Sequence, residues 1–209
     1  MGICGGGGFL VSAAKIDSRI AALATASMYS MGAVTRNGLR HSQDLAQRKQ
    51  LIANAAEQRW IEAEGGQALY SDGAANEITS ESTAVDVEFQ DYYRTSFGRV
   101  TPPGAQPNAT SHRITSSNTR FMNFYPFSDI DTISPRPVLF VTGDQAHSRE
   151  FSEDAYARAA EPKEIIRVPG AGHVDLYDRV DLITFAESTQ SFRTNLVGPA
   201  SNETVARKA

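Results

Sequence analysis

The sequence is short of cysteine, of long apolar runs and of excess positive charge. A single cysteine, Cys4, stands among 209 residues. That excludes an internal disulfide framework and any zinc site built from several thiolates. No stretch of about 18 apolar residues occurs, so no membrane-spanning helix is expected. The opening Met1-Gly2-Ile3-Cys4 lacks the basic segment and apolar core of a secretory signal. Lys and Arg number 20 against 24 Asp and Glu, a formal charge of −4. This is the wrong sign for a nucleic-acid binder that works through a positive field. A cytoplasmic chain without nucleic-acid or membrane partners is expected, in which the sequons at Asn108 and Asn202 are chance matches. The remainder, 41% hydrophobic and 21% charged, has the composition of an ordinary globular domain.

Three segments read as buried strands: Ile20 to Ala26, Val138 to Val141 and Ile165 to Val168. Each is a continuous rather than alternating apolar run, which suits strands covered on both faces, as in parallel sheets. Helical patterns lie between and after them. Phe9 to Lys15 follows a glycine run, and Ser152 is placed to cap a helix through Ala160 that Pro162 stops. Leu182, Phe185, Thr189, Phe192 and Leu196 form one mainly apolar stripe, ended by Gly198-Pro199. Strand and helix alternate at both ends of the chain, which predicts an α/β core of residues 1–30 and 128–198 with right-handed crossovers.

The middle, 31–127, is longer than a crossover needs and reads as a mainly helical cap insertion. It holds a long helix, Ser42 to Ala63, with Leu45, Ile52, Ala56 and Trp60 on one side. A polar stretch follows, then the aromatic cluster Phe89, Tyr92, Tyr93 and Phe97. Thr101 to Asn118 reads as loop, Phe121 to Phe127 is aromatic again, and 199–209 reads as a disordered tail.

Two short motifs could carry chemistry. Gly2-Ile3-Cys4-Gly5-Gly6 has the form G-x-C-x-G, a cysteine version of the nucleophile elbow. Glycines two positions before and after the nucleophile remove side chains that would clash in so tight a turn. Gly5 can offer its backbone N–H to a developing oxyanion, and the following helix N-terminus would favour the thiolate. Val168-Pro169-Gly170-Ala171-Gly172-His173 follows the last strand directly, where an α/β enzyme places its base. Elbow first and loop histidine last is the order found in α/β-hydrolases.

These segments, with Ser134-Pro135-Arg136-Pro137-Val138-Leu139, Ala146-His147-Ser148, Phe151 to Tyr156 and Gly170 to Asp178, resemble the dienelactone hydrolase-like branch of the α/β-hydrolase superfamily, in particular its capped bacterial and fungal members. The resemblance runs from Cys4 to about Leu196 and implies a Cys-His-acid triad acting on an ester, lactone or other acyl bond of a small-molecule substrate. It implies no metal or organic cofactor. The family's acid sits three residues beyond the glycine that ends the strand, and here that position is Ala146. Asp144 is the nearest carboxylate, with Glu150 and Asp175 as alternatives. His147 and Tyr29 join the candidate site, and His147 is equally readable as structural. Arg36 and Tyr125 are candidates for the pocket wall, whereas His41 and His112 are expected to have no catalytic task.

A complete member of that superfamily builds several strands before its elbow, including the one that enters it and the loop giving the second oxyanion N–H. With Met1 three residues before Cys4, those parts are expected to be missing. The sequence then reads as the carboxyl-terminal portion of a longer hydrolase, with weak or no activity alone and an open sheet edge inviting self-association. The rival readings are a catalytically dead fragment with a binding role and an acyltransferase.

Overall fold

The computed structural model describes residues 1–71, 73–100, 103, 104 and 112–196. The expected tail, both sequons and most of the 101–111 loop lie outside the described residues. Four parallel strands form one sheet in the order β1 (Gly2–Ile3), β2 (Leu23–Ala26), β3 (Val138–Gly143), β4 (Lys163–Val168). β1 corrects the sequence reading: a strand does enter the elbow, and its two residues pair with Thr25 and Ala26. Two residues are too few for an apolar pattern to announce them.

β2 and β3 are buried at every position because both faces are covered. Leu23, Val138 and Phe140 pack on one side with Val11 and Ala14 of α1 (Gly5–Ala14). Ala24, Ala26, Leu139 and Val141 pack on the other with Leu176, Leu182 and Phe192. The two-residue period of a strand divides each apolar run between two cores.

Between β2 and β3 run α2 (Met31–Asn37), α3 (Leu45–Ala63), α4 (Ala84–Tyr93) and α5 (Asn118–Met122), and none of these residues adds a strand to the sheet. α3 begins at a capping box, in which Asp44 accepts from the Gln47 backbone N–H and the Gln47 side chain accepts in return from the Asp44 N–H. Its packed side is not the expected one. Ala55 and Gln58 are buried, while Leu45 and Trp60 are 62% and 72% exposed. Size governs here: the small Ala55 allows close approach, and Gln58 reaches the Gln67 carbonyl at 2.9 Å.

α6 (Arg149–Arg158) starts one turn earlier than expected, with Ser148 at the N-cap position and Ser152 buried inside the helix. α7 is Asp175–Asp178 and α8 is Phe185–Leu196. Of the predicted stripe on the last helix, Leu182 and Phe192 meet the core, while Phe185 and Leu196 are more than half exposed. Among the described residues no helix is long and apolar enough to cross a membrane, and no cluster of three or more His, Cys, Asp or Glu could hold a metal ion.

Candidate active site

Cys4 lies at the strand-to-helix corner between β1 and α1 with φ 52° and ψ −128°. For a residue with a Cβ this conformation costs about 1–3 kcal/mol and persists only when its surroundings enforce it. The enforcement is visible. Cys4 N–H donates to the Ala26 carbonyl at 3.1 Å, and its own carbonyl accepts from Gly7 at 3.0 Å and Tyr29 at 2.9 Å. A Cβ at Gly2 would stand 2.6 Å from the Gly6 carbonyl oxygen, so that glycine is obligatory. Gly6 is different: nothing lies within 4 Å of a Cβ placed there, and the expected steric demand two residues after the nucleophile is not made.

His173 arrives on the loop between β4 and α7 and is fully buried. Its carbonyl accepts from Ser27 Oγ at 2.7 Å. The next N–H, on Val174, donates to Glu88 Oε1 at 2.9 Å, and Gly172 N–H donates to Asp175 at 2.7 Å. The imidazole has a partner at each nitrogen: Ser148 Oγ is 2.5 Å from Nδ1 and the Tyr177 hydroxyl 2.7 Å from Nε2. Tyr177 also interacts with the Cys4 thiol and with Tyr93. Thiol, phenol and imidazole therefore form a line, with Tyr177 standing between the two groups expected to meet directly.

The carboxylates proposed from sequence do not reach this imidazole. Asp144 accepts from Gly170 N–H at 2.8 Å and from Gln145 at 3.1 Å, which makes it a staple of the histidine loop. Glu150 accepts from Arg40 N–H at 2.8 Å, and Asp175 is taken by Gly172. Where the family pattern calls for an acid at Nδ1, this chain presents the neutral Ser148. A carboxylate approaches from elsewhere. Glu88 of α4 accepts from His147 Nδ1 at 3.2 Å, and the His147 ring centroid is 4.7 Å from that of His173. His147 is buried and its Nε2 has no hydrogen-bond partner. Tyr29 packs edge-on against both imidazoles, at 5.9 and 5.5 Å. Phe89 of α4 covers them at 5.3 and 5.7 Å.

Burial lowers the His173 pKa to about 3, helped by neighbouring His147 and opposed by Glu88. Burial also raises the Cys4 thiol, against the lowering from Tyr177 and from the Gly5 N–H. The helix N-terminus thus fails to produce the expected thiolate, because loss of water outweighs it. At neutral pH the site holds a thiol and a neutral imidazole instead of an ion pair. Burial pushes Glu88 upward, but hydrogen bonds from His147 and Val174 and the two nearby imidazoles leave it below the ordinary carboxylate value.

Cys4 opens on a cavity of about 450 Å³ lined mainly by apolar and aromatic groups, among them Tyr29, Met31, Phe89 and Tyr93. Arg36 and Tyr125 line a different hollow of about 440 Å³ together with His41. The Arg36 guanidinium lies 3.8 Å from the Tyr125 ring centre and donates to the Phe124 carbonyl at 2.9 Å. Of the sequence candidates, the fold brings together Cys4, Gly5, His173, His147 and Tyr29. It leaves Asp144, Arg36 and Tyr125 outside. Ser148, Tyr177 and Glu88 were missed, although the Ala146-His147-Ser148 and Asp175-to-Asp178 blocks that hold two of them were already in view.

The protein PA2218 of Pseudomonas aeruginosa is 43% identical over 188 residues, a match covering 88% of this chain and 49% of that protein. YcjY of Escherichia coli is 30% identical over 189 residues, covering 85% and 56%. The chain thus spans about half the length of the curated relatives it matches. The crystal structure of PA2218 superposes with a TM-score of 0.80 at 41% identity, covering 93% of this chain and 59% of that one. The α/β hydrolase GrgF of Penicillium sp. sh18 gives 0.67 at 18% identity, covering 94% and 63%. A monoacylglycerol lipase of Paleococcus ferrophilus gives 0.52 at 17% identity, covering 90% and 64%. No protein-family model matches the chain. Parallel sheet, strained elbow and loop histidine, together with these likenesses, show a partial α/β-hydrolase fold.

Proposed function

We propose that the site performs acyl transfer to water, with Cys4 as nucleophile and His173 as base, on an ester, lactone or other acyl bond of a small molecule, in the manner of the dienelactone hydrolase-like branch. The observation that carries this reading is the hydrogen-bonded line from Cys4, on the wall of a mainly apolar cavity, through Tyr177 to His173 Nε2. With Nδ1–H donating to Ser148, Nε2 is the accepting nitrogen. As the thiol attacks the carbonyl, its proton passes to the Tyr177 oxygen while the phenol proton passes to Nε2. The imidazolium so formed later protonates the leaving group, and water then cleaves the thioester on Cys4. Gly5 N–H, already directed at the sulfur side of the turn, offers one donor to the oxyanion.

A neutral resting pair suits this route, since the imidazole carries charge only during the transfer. Segment 31–127 acts as the cap, and its Glu88 supplies the site's negative charge through His147. The test is hydrolysis of p-nitrophenyl acetate and butyrate by the purified chain, with mass spectrometry of the quenched reaction. The expected result is an acyl adduct on Cys4. Turnover should be lost in Cys4→Ser and lowered about a hundredfold or more in His173→Ala. Equal turnover in all three proteins, or an adduct elsewhere, would overturn the reading.

A further inference from the structure

The cavity that opens on Cys4 also contains one permanent cation, Arg113. This side chain is partly buried, and its polar partner is the hydroxyl of Thr35, 3.3 Å from Nη1. Its guanidinium lies 5.4 Å from the centre of the Phe121 ring. None of the ion pairs among the described residues includes it. Burial depresses its pKa, with Tyr29 the opposing group, and the Tyr29 phenol is itself held neutral by burial.

The neighbouring His112 offers no anion either. Its Nε2 accepts from Arg94 at 2.7 Å, and its Nδ1 donates to the Ser71 carbonyl at 2.7 Å. Among the described residues, this guanidinium drawn largely out of water has one hydroxyl and one aromatic face for company, an incomplete arrangement. It is completed by a planar anion, which it can bind through two parallel N–H donors.

We propose that Arg113 is an anion subsite and that the substrate is an acyl compound carrying a carboxylate. Arg113 holds that carboxylate across the apolar cavity while the reacting carbonyl meets Cys4. Apart from His112, whose ring nitrogens are already paired, the remaining cavity wall is mainly apolar and aromatic, so the segment between the two groups is a hydrocarbon or aryl spacer. The substrate assignment rests on the reading of Cys4 as the nucleophile.

The test uses probes that react with Cys4 without needing turnover. N-iodoacetyl derivatives of glycine, β-alanine and 4-aminobutyrate are compared with their carboxamide counterparts, which differ only in the distal charge. For at least one length the carboxylate should alkylate Cys4 about tenfold faster than its carboxamide, the size of effect one charge-assisted pair gives. That ratio should fall to near one in Arg113→Met and be partly kept in Arg113→Lys, with circular dichroism confirming that both variants fold. A ratio near one at every length in the wild type, or a ratio unchanged in Arg113→Met, would overturn the proposal. Failure of the hydrolase reading would show separately, as ester turnover indifferent to Cys4→Ser while the alkylation ratio persists.

Discussion

A histidine sealed away from water with a hydroxyl at each ring nitrogen has a thermodynamic signature. The folded state holds His173 near a pKa of about 3, against 6.5 when unfolded. Between those values the unfolded chain binds a proton that the native chain does not, so stability is fully present above about 6.5 and declines as pH falls toward 3. The loss is of order a few kcal/mol. Urea midpoints at pH 7.5 and 5 should therefore fall more in the wild type than in His173→Gln. Equal falls would mean that the imidazole is not held neutral.

The residue scale is also where the sequence was most and least legible. Cys4 and His173 stand out because glycines frame them, and a backbone constraint leaves a mark in composition. Ser148 leaves none. Its role follows from the seat it takes at the start of α6, where its hydroxyl, unused as a helix cap, turns to His173 Nδ1. Asp144 was legible as a carboxylate beside a strand end, but its direction is set by the Gly170 N–H, which only the folded loop reveals.

Among the elements, the junction of β3 with the histidine loop is closed too tightly for a side chain. A Cβ on Gly143 would lie 2.1 Å from the Ala171 carbonyl oxygen and 2.7 Å from that of Gly172. These are backbone atoms that cannot rotate aside. Gly143→Ala should destabilise the fold by about 1–3 kcal/mol or more and displace His173, which thermal melts and ester turnover would register together. Gly6→Ala is the control for a glycine change as such, since its backbone is helical and nothing lies within 4 Å of a Cβ there. The strands of the core were readable because runs covered on both faces are continuous, and Val138 to Val141 shows this well. β1 was unreadable for want of length. The stripe on α3 misled because its large residues point outward, while the element docks through Ala55 and Gln58.

At the scale of the whole molecule, Glu88 carries the hydrogen bonds that join α4 to the loops at the end of the sheet, beside a set of aromatic contacts. Glu88 accepts from Val174 N–H and from His147, and Phe89 rests on both imidazoles. Glu88→Ala removes both hydrogen bonds, each worth roughly 1–3 kcal/mol when one partner is ionised. Amide exchange over residues 84–93 and at Val174 should then accelerate about tenfold or more, while β3 and β4 keep their protection. Uniform acceleration through the sheet would instead show that α4 opens only with global unfolding.

The chain's one thiol is half-buried beside that helix. Small electrophiles reach it through the cavity at rest, so a reagent too bulky for that cavity is the one whose reaction dates the helix lifting away. With such a reagent the single thiol becomes a built-in clock, able to time opening of α4 and full denaturation on one scale without any added label.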